Sequence, residues 1–335
     1  MTSVLNRDGE WGPAGPHSSR RLDGDHVFKG VTLAAGATVL GILALIAISM
    51  ISQAWPALKE TGLDFVTSSK WIPNDPDGPD GPLTAHYGAL AFIYGTTVVS
   101  AIALVFAVPL SIGIALFTTE IVPRRLRSAV VTVTDLLAAI PSVVYGLWAV
   151  AVMAPWIVGP FDSVASAVSG IPILSTIFGE GGTGRSFMTA GIILAIMITP
   201  IITSITREVV ATVPPGEKAA ALALGATRWE MIRGAILPHS FGGMVGAVML
   251  GLGRAMGETI AVALVIGSSP QIVANLFKSG DAMPAVIVNQ FGESSGMFRS
   301  ALIGLGVVLF GMTIVVNVLA RVIVERAEVR MRGAR

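Results

Sequence analysis

Stretches free of acidic and basic side chains recur along the chain, at residues 30–58, 87–119, 136–161, 186–206, 234–253, 259–277 and 300–320. About 20 apolar residues suffice to cross a bilayer as a helix, so most of these runs are long enough to be spans. The runs 234–253 and 259–277 cannot both be crossings. Residues 234–238 belong to a loop, and Ser268-Ser269-Pro270 interrupts the second run. They combine into one crossing near 240–266, with Arg254 and Glu258 in its middle. The pattern therefore predicts an all-α polytopic membrane protein with six transmembrane helices, near 30–54, 88–117, 128–156, 187–206, 240–266 and 300–322. Residues 163–179, which contain Gly170-Ile171-Pro172, read as a surface or re-entrant segment.

Composition agrees. Of 335 residues, 53% are apolar and 13% charged, about half the charge of an ordinary soluble domain. The mean hydropathy is +0.75. A soluble enzyme is excluded, and the lack of cysteine removes disulfides, zinc–thiolate sites and thiol nucleophiles. The net charge of +1 decides nothing, but its placement does. With the N-terminus inside, 16 of the 22 Lys and Arg residues fall on the cytoplasmic side and 5 on the other, with Arg254 inside a span. That bias places both termini inside.

The polar, Gly-rich N-terminal segment 1–29 reads as cytoplasmic and disordered. It is not a signal peptide: Asp8, Glu10, Asp23 and Asp25 precede a span too long for a signal core. Residues 30–325 form the transmembrane domain, with outer loops 55–87, 157–186 and 267–299, an inner loop 207–239 and a basic tail 326–335. Four prolines between Trp71 and Pro82 make the first outer loop irregular.

The inner loop carries the clearest local design. Pro214 and Pro215 suit a helix start, the Ala/Leu run 217–224 has high helix propensity, and Gly225 is placed to stop it. Thr227 opens a second helix, Glu230 completes a capping box, and Pro238 closes it. The first helix is roughly 12 Å long, too short to persist without a docking surface. It reads either as a knob for a partner's groove or as an amphipathic loop on the membrane.

Gly225-Ala226, followed after a spacer by Ile236-Leu237-Pro238, resembles the EAA loop of ABC-importer permeases. In that family this loop forms a coupling helix seated in a cleft of the ATPase subunit. Ala220, Gly225, Ala226 and Pro238 match directly, and Thr227 and Arg228 lie within the same stretch. The family's glutamate position, six residues before the glycine, is Ala219 here. Glu217 lies two residues earlier, about 200° round a helix. Residues 135–148 and 251–262, with Tyr94-Gly-Thr-Thr97 and Ala223-Leu-Gly-Ala-Thr-Arg-Trp229, resemble the phosphate-specific permeases. Ser68-Ser-Lys-Trp-Ile-Pro73 points to the PstC type, and the resemblance runs from about residue 30 to 325. It implies a type I ABC importer permease fold and inorganic phosphate as substrate. It further implies a PstA-type second permease, a PstB-type ATPase dimer holding ATP and Mg, and a PstS-type external phosphate-binding protein. No cofactor is expected in this chain, nor nucleic acid; its surroundings are membrane lipid.

The residues also favour an anion path on their own. Arg254 and Glu258 are spaced i, i+4, on one face of a continuous fifth helix. A charge near the bilayer centre costs roughly 2.5–3.5 kcal/mol on insertion scales and needs compensation. Each could compensate the other. An arginine fork binds phosphate oxygens bidentately at any relevant pH, so Arg254 is expected to contact phosphate while Glu258 holds it between passages. A purely structural ion pair is the alternative. Asp135 reads as a carboxylate at the cytoplasmic boundary. Pro141 and Pro200 permit kinks, and Gly253 and Gly257 allow close helix approach.

Three patterns are decoys. Gly179-Glu-Gly-Gly-Thr-Gly-Arg-Ser186 mimics a P-loop but has Arg for Lys and follows no strand; Gly251-Leu-Gly-Arg-Ala-Met-Gly257 lacks dinucleotide-fingerprint spacing. Asp75, Asp77 and Asp80 lack calcium-loop spacing, and His17, His26, His86 and His239 are isolated. The competing functions are a permease for another oxyanion or solute, an ion-coupled carrier, and a membrane scaffold.

Overall fold

The computed structural model of the chain describes residues 3–5, 11–13, 22–73 and 86–333. Two compact units divide at residues 52 and 53. The first holds a small antiparallel ribbon, β1 (Ser3–Leu5) against β2 (Trp11–Pro13), and the greater part of α1 (Leu22–Thr61). The helix begins at Leu22, so residues 22–29 are helical where disorder was expected. Asp23–Lys29 contains no proline, and its one glycine, Gly24, weakens the helix without ending it. Most of the remaining N-terminal residues lie outside the described ones.

In the second unit the chain turns at Gly62 into α2 (Asp64–Thr67), then pairs β3 (Trp71–Ile72) with β4 (His86–Tyr87). The calcium-like aspartates 75, 77 and 80 lie between these strands, outside the described residues. Next come α3 (Leu90–Leu116), α4 (Arg124–Ala139), α5 (Ser142–Trp148), α6 (Ala154–Val168) and α7 (Pro172–Ile177). They are followed by α8 (Phe187–Ala211), α9 (Pro215–Ala223), α10 (Arg228–Met231), α11 (Leu237–Gly257) and α12 (Ile260–Val265). The chain then forms α13 (Met283–Gln290) and α14 (Gly296–Gly333). A π-helical turn, Phe117–Ile121, ends the second span before the chain turns extended at Val122 and Pro123, whereas the π turns Ala149–Met153 and Ile232–Ile236 join neighbouring helices without interrupting them.

Among the described residues, six helical stretches are long and apolar enough to cross a membrane: Asp25–Thr61, Leu90–Ile121, Ser142–Val168, Phe187–Ala211, Arg228–Gly257 and Gly296–Val322. Their number and order match the hydrophobic pattern, and two positions are corrected. The third span is Ser142–Val168, not 128–156. Ile140 precedes Pro141, is driven out of the helical region, and sits extended at ψ 127°. Residues 124–139 thereby become a separate helix carrying Asp135 on its exposed side. The supposed re-entrant segment shrinks, since α6 runs to Val168 and only α7 remains. The fifth span ends at Gly257 rather than 266.

The span Phe187–Ala211 is the buried hub, packed by α3 on one side and α11 on another. Close approach to α11 is bought by Gly251: a Cβ there would lie 2.7 Å from the Ile202 side chain. The first amides of α8 are satisfied from outside the helix, because Ser186, Phe187 and Met188 donate to the carbonyls of Val265, Lys278 and Leu276. The expected outer loop 267–299 is thus a strap that caps the hub. A second cluster, with Phe65, Trp71, Tyr87, Phe92, Met283 and Leu302, closes the same end of the bundle.

Candidate functional site

The inner loop folds as its residues dictate. Pro214 is the N-cap of α9 and Pro215 its first residue, where no amide hydrogen is needed. At the other end Gly225 takes φ +86°. Its amide bonds to the Leu222 carbonyl (3.0 Å) and that of Ala226 to Ala221 (3.2 Å), the paired closure of a Schellman motif. Two residues on, the capping box is present in full. Thr227 Oγ1 accepts from the Glu230 amide, and Glu230 Oε2 accepts from the Thr227 amide at 2.7 Å.

Ala221 packs inward on Val210, Val213, Met231, Ile232 and Ile236, which leaves the tip bare. Leu224 is 89% and Trp229 63% exposed. Ala219, Ala220, Gly225, Thr227 and Arg228 are exposed beside them, and Ala226 is half-buried. Glu217 points elsewhere: its Oε2 lies 3.4 Å from His239 Nδ1. Pro238 does not close the second helix. The π turn at Ile232–Ile236 absorbs its missing donor, and the helix continues unbroken from α10 into α11.

One contact was beyond the reach of sequence reasoning. Lys218 Nζ lies 2.6 Å from Glu120 Oε1, both largely buried, pinning α9 to the end of the second span. Arg127 donates to the carbonyls of Thr118 and Thr119 at that same end. Both partners were visible as charges flanking apolar runs, but 98 residues separate Lys218 from Glu120 and no spacing rule joins them.

Arg254 and Glu258 are not brought together. The helix ends at Gly257, and Glu258 is extended at φ −70°, ψ 126°, so the i, i+4 relation is lost. Glu258 turns inward, 9% exposed, and accepts the Ala261 amide at 3.4 Å, helping to start α12. It lines a small cavity with Thr96, Ser100 and Ala282. The reading of Glu258 as the counter-ion of Arg254 is therefore corrected. Arg254 is exposed and has no ion pair among the described residues. It shares the outward side of α11 with Gly246, Leu250 and Gly257. Neither Gly253 nor Gly257 has any atom within 4 Å of a would-be Cβ, so the expected close packing there is not made within this chain. The P-loop mimic is the connection between α7 and α8, held by the Asn275 and Ser279 side chains, which donate to the carbonyls of Glu180 and Arg185, and ending in Ser186, the N-cap of α8.

The profile of the binding-protein-dependent transport system inner membrane component family matches residues 107–333. A phosphate transport system permease protein PstC of Mesorhizobium japonicum is 42% identical over 310 residues, 91% of each chain. The chain belongs to the PstC family. A PstC of Haemophilus influenzae is 38% identical, covering 91% of this chain and 94% of its own. A PstC 1 of Mycobacterium tuberculosis is 39% identical over 96% of each. Among solved structures, a bacterial alginate ABC transporter in complex with its substrate-bound periplasmic protein aligns with a TM-score of 0.56 at 18% identity. The alignment covers 92% of this chain and 97% of that one. An inward-facing methionine transporter, MetNI, gives 0.52 at 16% identity, over 71% and 94%. At such identity these show the fold alone, that of type I ABC importer permeases.

Proposed function

We propose that this PstC-family chain is the permease subunit of an ATP-driven importer that carries inorganic phosphate inward across the cell membrane. Both termini are cytoplasmic in this reading, so the loop with α9 and α10 faces the ATPase. A PstA-type permease pairs with this chain, a PstB-type dimer binds ATP and Mg and hydrolyses the nucleotide, and a PstS-type protein delivers phosphate from outside. This chain performs no hydrolysis. Leu224 and Trp229, apolar and held outward by two capped helix ends, supply the docking tip. The loop residues Glu217, Ala219, Ala220, Gly225, Ala226, Thr227, Arg228 and Pro238 shape and flank it, of which Ala220, Gly225, Ala226 and Pro238 match the family's loop directly. Two ATPase arrangements that bind nucleotide differently bias two positions of the loop, and hence which side the path faces.

The observation that carries the substrate assignment is Arg254, a guanidinium on the outward side of a spanning helix with no ion-pair partner among the described residues. Such a charge is not left against lipid. Covered by a second permease, it presents a planar fork to an anion with nothing competing for it. Glu258 shapes the break just beyond Arg254 rather than neutralising it.

The test is ATP-driven uptake of radiolabelled phosphate by the assembled complex in proteoliposomes. Arg254→Gln is expected to lower uptake by about tenfold or more, with Arg254→Lys between it and wild type. Undiminished uptake in a fully assembled Gln variant would sink the assignment.

A further inference from the structure

A groove of about 950 Å³ lies between α8, α11 and α14. Its floor is Gly242, Gly243, Gly246 and Gly253 of α11, about 16 Å of helix. Ile205, Val209, Val245, Met249 and Leu250 form the walls, and the end nearest the inner loop carries Asn317 and Arg321. Those two are one turn apart on α14 and both exposed. Among the described residues, no carboxylate lines the groove and Arg321 has no ion pair. At the opposite end Gly253 adjoins Arg254.

Lipid is a poor occupant. The groove shares the outward half of α11 with Arg254, and a face bearing an unpaired charge within a span is not turned to hydrocarbon. The face is covered by protein, by water, or by both. A Cβ at Gly246 or Gly253 would meet nothing within 4 Å, so these glycines do not serve packing within the chain. Their effect is to keep the floor low.

We propose that this groove is the chain's half of a water-filled vestibule between Arg254 and the cytoplasm, with Arg321 and Asn317 as a second phosphate station. An anion leaving a strong guanidinium site needs a further favourable contact before bulk water. A cation and a carboxamide at the groove's inner end provide one. The inference rests on the assignment of Arg254 to the phosphate path.

The chain contains no cysteine, so single cysteines report cleanly. In the assembled complex, Gly246→Cys and Met249→Cys should react with a charged, membrane-impermeant thiosulfonate added from the cytoplasmic side. Millimolar inorganic phosphate should slow that reaction. Val105→Cys, on an exposed apolar face of α3, should stay unreactive. Arg321→Gln should lower ATP-driven phosphate uptake per complex about tenfold, with Arg321→Lys retaining most of it. Groove cysteines that resist the charged reagent, or that react at a rate phosphate leaves unchanged, overturn the proposal. So does wild-type uptake by Arg321→Gln. Each of those outcomes, with Arg254→Gln still impaired, leaves the Arg254 assignment standing. Loss of ATP-driven phosphate uptake by the wild-type complex would remove the assignment itself.

Discussion

Asp281 is a buried carboxylate whose charge the fold tolerates poorly. It is 3% exposed, in the strap before α13, and its Oδ1 accepts the Ala282 amide at 2.8 Å. Its backbone carbonyl presses on Gly95 of α3, and no cation pairs with it among the described residues. Burial raises its pKa from 3.8 to about 6, against a smaller opposing effect of the Ala282 hydrogen bond. Because the folded value lies above the unfolded one, the proton is bound more tightly in the fold. The associated stability is complete below pH 3.8 and is lost as pH rises through 6. At about 1.4 kcal/mol per unit, the loss amounts to about 3 kcal/mol at neutral pH. Asp281→Asn keeps an oxygen for the Ala282 amide and removes the titration. Thermal unfolding of the purified complex between pH 5 and 8 should show wild type falling relative to the Asn variant. The variant should be the more stable at pH 8. Parallel curves, or a variant less stable at pH 8 than at pH 5 by the wild-type margin, would refute the reasoning.

Other substitutions test separate parts of the fold. Gly251→Val should overpack the α8–α11 contact against Ile202 and cost about 1–3 kcal/mol, read as a lower unfolding temperature, whereas Gly246→Ala should leave it unchanged. Gly225→Val should strain the positive-φ closure of α9 by about 1–2 kcal/mol, and the complex should retain less ATPase on purification. Lys218→Ala should loosen α9 from the second span. In a double-mutant cycle with Glu120→Ala the coupling should be about 1 kcal/mol, and a coupling of zero would mean that the pair holds nothing.

Charge-free runs made the number and order of spans legible, and turn chemistry made the inner loop legible almost to the residue. Pro214, Gly225, Thr227 and Glu230 act locally, so four positions suffice to place three helix ends. What failed was continuity. Pro141 stands inside an apolar run yet breaks it, because it acts on Ile140. Pro238 stands at an apparent stop yet is absorbed by a π turn, because one extra residue per turn removes the need for its amide. The candidate site shows the same division. Arg254 was conspicuous as a charge within a span, but its pairing with Glu258 assumed a continuous helix. The backbone bends at Gly257, and Glu258 follows the bend into the interior. The Lys218–Glu120 contact and the groove depend on helices far apart in sequence, which hydropathy does not arrange.

The unbroken passage of α10 into α11 has a mechanical consequence. From Arg228 to Arg254 the chain is one rod, about 39 Å long at ordinary helical rise, with a capped tip at one end and a guanidinium near the other. A rod of that kind does not shorten. Any stroke delivered to Trp229 must therefore be felt by Arg254 as tilt or sliding, and the π turn is the one place where some of the throw can be absorbed.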